Sequence, residues 1–91
     1  MKELKIADVE GNLIDGKEFL VTQDNCSNCE TLEKEAAAEN YDLPDVYKFD
    51  PDDQKAIEIM TKLGIDRTPA YVNFHGKAQY PESLLELKDL R

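Results

Sequence analysis

Apolar positions along the chain fall into short runs separated by segments of helical spacing. Glu18-Phe19-Leu20-Val21-Thr22 is a compact apolar run bounded by polar residues, the pattern of a buried strand. Gln23-Asp24-Asn25 reads as a loop with Asn25 as the N-cap of a helix that starts at Cys26 and runs to about Glu39. Cys29, Leu32 and Ala36 share one face of that helix. Val46-Tyr47-Lys48-Phe49 is the next strand. Asp50-Pro51-Asp52-Asp53 then opens a second helix, with Asp50 as cap, striped by Ala56, Ile57, Met60 and Leu63 and stopped by Gly64. Ala70-Tyr71-Val72-Asn73-Phe74 is a third strand, turned at His75-Gly76 into a hairpin with Lys77-Ala78-Gln79-Tyr80. Pro81 opens a last helix striped by Leu84, Leu87 and Leu90. Ahead of all this, Leu4, Ile6, Leu13 and Ile14 with turn signals at Glu10-Gly11-Asn12 and Asp15-Gly16 predict an added N-terminal strand or hairpin over residues 1–17.

The order is an optional strand, then β-α-β-α-β-β-α. Such alternation predicts a layered α/β domain with helices on a small mixed sheet of four or five strands and about three helices. The expected core is Phe19, Val21, Leu32, Ala36, Phe49, Ile57, Met60, Leu63, Val72, Phe74, Leu84 and Leu87. With 91 residues there is room for one domain, and no linker or repeat divides it.

Charge narrows the function classes. A net charge of −9 repels phosphate backbones and anionic membrane surfaces, so neither nucleic acid nor membrane is an expected partner. No stretch of 18 apolar residues is present, and residues 1–8 lack the apolar segment of a signal peptide. A cytoplasmic, reducing home is the expectation, and two cysteines are too few for a disulfide-stapled scaffold.

Those two cysteines form the sharpest motif, Cys26-Ser27-Asn28-Cys29. It follows a buried strand and sits in the first turn of a helix, where unpaired N–H groups and the helix dipole favour a thiolate at Cys26. Asp24 and Glu30 oppose that effect. Thiolate is the attacking species in disulfide exchange, and Cys29, on the buried face, suits a resolving thiol. Three plainer readings stay open. A structural disulfide closing so short a loop gains only about 2 kcal/mol of chain entropy. A zinc site needs four ligands, which two thiols and one histidine complete only in a dimer or with carboxylates. The pair can also be two buried thiols with no chemistry. His75, the sole histidine, reads as a turn residue, and the tyrosines read as packing residues with wet hydroxyls.

Strand, Cys-x-x-Cys, helix, strand ending in Lys48-Phe49-Asp50, helix, Gly64-Ile65-Asp66-Arg67, Thr68-Pro69, strand, Phe74-His75-Gly76-Lys77, strand and helix together resemble the thioredoxin/glutaredoxin superfamily over residues 18–91. The resemblance implies a three-layer α/β/α fold and thiol–disulfide oxidoreductase activity with Cys26 and Cys29 as catalytic residues. It implies that Pro69 is cis beside Cys26 and that Thr68 pairs through its backbone with an extended substrate segment. It places Asn25, Ser27, Asn28, Thr68 and Pro69 at the substrate. The implied partners are a protein disulfide and a thiol reductant or reductase, met by a monomer that needs no metal or organic cofactor. The chain departs from the thioredoxin pattern at Asn25, where an aromatic residue is usual, at Ser27-Asn28, and in Phe19-Leu20-Val21, which lacks the family's buried acid. No basic residue flanks the motif to meet glutathione carboxylates. The missing aromatic and the missing strand acid motivate one alternative, a thioredoxin-fold binding module with little redox turnover; a metal-binding dimer is a further alternative.

Overall fold

The computed structural model describes residues 2–91. Its central strand, β2 (Phe19–Thr22), is buried along its whole length. β2 pairs in parallel with β3 (Val46–Lys48), placing Leu20 opposite Val46 and Val21 opposite Tyr47. On its other side it pairs antiparallel with β4 (Ala70–Val72), placing Val21 opposite Ala70. β1 (Glu3–Leu4) and β5 (Ala78–Gln79) complete a five-stranded mixed sheet in the order β1-β3-β2-β4-β5. The parallel β2–β3 pair is joined by α2 (Ser27–Ala38), the crossover that parallel strands require.

Side-chain alternation along the strands sorts the core into two layers. Phe19, Val21, Tyr47, Ala70 and Val72 face one side, where they pack with Val9 of α1 (Ile6–Asp15) and with Ala56, Ile59 and Met60 of α3 (Gln54–Leu63). Leu20, Val46 and Tyr71 face the other, against Leu32 and Ala36 of α2 and Leu84 and Leu87 of α4 (Leu84–Leu90). The fold is three-layered α/β/α. Among the described residues, no helix is long and apolar enough to cross a membrane.

The N-terminal segment departs from expectation. Residues 3–4 do form a strand, but Leu13 and Ile14 belong to a fourth helix, not to a hairpin. Ile6, Val9 and Leu13 are spaced for one helical face, and they all pack on the first core layer. The Lys5 N–H donates to the Asp8 carboxylate at 2.9 Å, closing the N-terminus. Gly11, which suggested a turn, lies inside the helix, while Gly16, at φ 68°, ends it.

Several boundaries also shift. Asp53, not Asp50, caps α3, accepting from the Lys55 and Ala56 N–H groups at 3.0 and 3.3 Å. Asp50 instead organises the turn before it, its carboxylate accepting from the Asp52 N–H. Ser83, two residues after Pro81, caps α4 through the Glu86 N–H. β4 ends at Val72 because Asn73 starts the hairpin turn, its side-chain oxygen accepting from the N–H groups of His75 and Lys77. Phe74 therefore leaves the core and is 58% exposed. Ile57 is 36% exposed, since the buried stripe of α3 runs through Ala56, Ile59 and Met60. Phe49 and Leu63 are partly buried against the core, and the other expected core residues are buried.

Candidate active site

α2 begins one residue later than its sequence pattern suggests, and that offset builds the site. Asn25 is not the cap: it sits at φ 57°, a left-handed conformation that asparagine tolerates. Cys26 is the cap, extended at φ −107° and ψ 102°, and its Sγ accepts from the Cys29 N–H at 3.2 Å. Two cysteines inside a helix at this spacing stand about 5–6 Å apart at Cβ, too far for easy bonding. Moving Cys26 out of the helix removes that obstacle. The two residues are joined by a disulfide, with Cα atoms 5.2 Å apart.

Burial differs between the two sulfur-bearing residues. Cys26 is 9% exposed and Cys29 is 2% exposed, so an incoming group meets Cys26 first. The Thr68–Pro69 peptide is cis, and the Thr68 hydroxyl donates to Cys26 Sγ at 3.3 Å. Cys26 Sγ thus has two donors aimed at it, a backbone amide at the helix N-terminus and a hydroxyl. Both stabilise negative charge on that sulfur once the disulfide opens. Asp24, expected to counter this, is ion-paired with Lys48 at 3.4 Å, and both side chains are largely in water. Its opposition is therefore weakened by a neighbouring cation and by solvent.

Asn25, Ser27, Asn28 and Thr68 line a shallow cleft over Cys26 together with Gln23, Asp66 and Arg67. Pro69 is buried behind Thr68 and lies outside that lining. Sequence reading missed Gln23, Asp66 and Arg67, although the last two immediately precede Thr68-Pro69. It assigned Thr68 a backbone role only, and the hydroxyl contact needed the tertiary fold to appear. Gln23, Asp66, Arg67 and Thr68 also border a hollow of about 150 Å³ whose other walls are Val21, Phe49, Met60 and Ile65.

Leu20 and Val46 stand side by side in the layer that packs on α2. Among the described residues, no group of three or more His, Cys, Asp or Glu is arranged to hold a metal ion, and His75 lies in the β4–β5 turn.

No protein-family model and no curated protein matches the chain. Among solved structures, the oxidized state of thioredoxin O2 from Arabidopsis thaliana is similar, with a TM-score of 0.63 and 19% sequence identity. The match covers 98% of this chain and 89% of that one. This chain has the thioredoxin fold, with its own Cys26–Cys29 disulfide at the N-terminus of the helix after the central strand.

Proposed function

We propose that this protein is a thiol–disulfide oxidoreductase acting on protein disulfides. The observation that carries the proposal is the Cys26–Cys29 disulfide at a helix N-terminus, with the more accessible sulfur held by the Cys29 N–H and the Thr68 hydroxyl. In the reduced protein, Cys26 thiolate attacks one sulfur of a substrate disulfide. A mixed disulfide forms, and the second substrate sulfur leaves as a thiolate that takes a proton from water. Cys29, deprotonated, then attacks Cys26 Sγ. The remaining substrate sulfur leaves as a second thiolate that takes a proton from water, and the Cys26–Cys29 disulfide is restored. Two electrons pass from the dithiol to the substrate, and an external thiol or a reductase returns them.

Asn25, Ser27, Asn28 and Thr68 are the docking surface in this reading, and an extended substrate segment pairs with the Thr68 backbone. Pro69 shapes that edge from behind. A reducing compartment suits a donor of electrons. The acidic surface favours partners that are not themselves strongly acidic. The working unit is a monomer.

The test is a redox titration. Thiols are trapped by alkylation across a series of dithiothreitol ratios and counted by mass. A reversible two-electron transition between about −180 and −270 mV supports the proposal. Cys29→Ser is then expected to accumulate a mixed disulfide with a model protein disulfide such as insulin, and Cys26→Ser to form none. Failure of the wild-type pair to cycle reversibly overturns the redox reading.

A further inference from the structure

Thr68 must be held still for its hydroxyl to stay on Cys26, yet the segment that carries it is poorly tied by its own backbone. After the Ile65 N–H bonds back to Met60, residues 66–69 take part in none of the loop backbone hydrogen bonds among the described residues. Side chains hold the segment instead, and they converge on one residue. Tyr80 follows directly on β5, and its hydroxyl reaches back 16 residues to donate to the Gly64 carbonyl at 3.1 Å. The same oxygen accepts from the Asp66 N–H at 3.3 Å. The Arg67 guanidinium lies over the Tyr80 ring, 4.4 Å from its centroid, and pairs with Asp66 at 3.6 Å.

Three of the four residues before Thr68 are therefore fastened to a single phenol. Gly64 ends α3 in a left-handed conformation and exposes helix carbonyls that need partners. The phenol supplies one and hands the next donor, Asp66 N–H, an acceptor. A tyrosine ring is rigid, with two side-chain torsions, so it acts as a strut from the edge of the sheet to the loop.

We propose that Tyr80 is a positioning residue for thiol–disulfide exchange: it fixes the 64–67 loop so that the Thr68 hydroxyl stays aimed at Cys26 Sγ. The proposal rests on the redox function proposed above. Tyr80 touches neither sulfur and acts only through Thr68.

The experiment reads the Cys26 thiolate directly. In a Cys29→Ser background, which leaves one thiol, the rate of iodoacetamide alkylation is measured from pH 5 to 10. The variants Tyr80→Phe, Thr68→Val and the pair are compared. One neutral hydrogen bond to the sulfur is a factor of about 2–10 in thiolate population. Thr68→Val is expected to slow alkylation at pH 6 by about that factor and to move the profile to higher pH. Tyr80→Phe keeps the ring and the stack but removes both hydrogen bonds. It is expected to move the profile in the same direction, by about 2–4-fold in rate, part of the same hydrogen-bond effect. Added to Thr68→Val, it is expected to change nothing further. A Tyr80→Phe profile identical to its parent overturns the proposal. So does a Thr68→Val profile that does not move, or a Tyr80→Phe shift that is as large without the Thr68 hydroxyl as with it. Insulin reduction by the wild-type protein is run alongside. If the wild type reduces no disulfide, the redox function itself is wrong. If it does, and the profiles fail as described, the Tyr80 inference alone is wrong.

Discussion

Removing the Arg91 side chain should destabilise the fold far more than its place at the end of α4 suggests. Its guanidinium donates to both carboxylate oxygens of Glu18, to the Tyr41 hydroxyl at 2.9 Å and to the Asp42 carbonyl at 2.9 Å. Glu18 in turn accepts from the Tyr71 hydroxyl at 2.7 Å. One cation thus ties α4 to the entry of β2, to the loop between α2 and β3, and to β4 two residues beyond Pro69. The pair is partly withdrawn from water, with 24% of the Arg91 and 18% of the Glu18 side chain exposed. Hydrogen bonds to charged groups contribute about 1.5–3 kcal/mol each when buried. Partial exposure lets water replace part of that, so Arg91→Ala is expected to cost about 2 kcal/mol. For a domain of this size that lowers Tm by roughly 8–16 °C.

The same clamp has a pH signature. Burial works against the Glu18 charge, but the hydrogen bonds from Arg91 and Tyr71 outweigh it and hold the carboxyl below its usual range. A carboxylate depressed on folding contributes stability that is present above its unfolded value, about 4.3, and lost as pH falls through the lower folded value. Urea unfolding of wild type and Arg91→Ala at pH 7, 5, 4 and 3 checks this. The difference between them should be constant from pH 7 to about 5 and shrink below about 4. A cost under about 0.5 kcal/mol at pH 7 would refute the clamp as described, as would a difference unchanged at pH 3.

Other expectations follow from single contacts. Thr68→Val should leave the unfolding free energy within about 1 kcal/mol of wild type while slowing insulin reduction at neutral pH by about 2–10-fold, because it removes a donor to Cys26 Sγ. Equal rates would show that the hydroxyl does not act on the thiolate. Asp53→Ala should cost about 1 kcal/mol in urea unfolding, since it strips the cap that serves both Lys55 and Ala56 N–H groups. Asp50→Ala, at the position expected from sequence to cap this helix, removes only a turn contact with the Asp52 N–H and should cost less. Reversal of that order would contradict the observed cap.

Most of the architecture was legible because it rests on local patterns. The apolar run at 19–22, the helical stripes around Leu32, Met60 and Leu84, and the Cys-x-x-Cys after a strand all declare themselves within a dozen residues. Where local signals conflicted, packing decided. Gly11 and Asn12 spoke for a turn, but a helix there buries Val9 and brings Ile6 and Leu13 onto the sheet, and that burial outweighs the propensity of one glycine. Phe74 looked like core as the last residue of an apolar strand pattern, yet the Asn73 side chain closes the turn before it and puts it in water.

The sequence by itself thus determined most of the element types, the layered α/β class and the Cys-x-x-Cys motif that forms the disulfide, because period, caps and motif spacing are properties of neighbouring residues. Only the tertiary structure decided how that pair is equipped. The fold moved Cys26 from the first turn into the cap position and brought the Thr68 hydroxyl to its sulfur from 42 residues away. It also seated Tyr80 behind the loop that carries Thr68. Those contacts join residues far apart in the chain, and no spacing rule encodes them. They exist because β2, β4 and β5 lie side by side in one sheet.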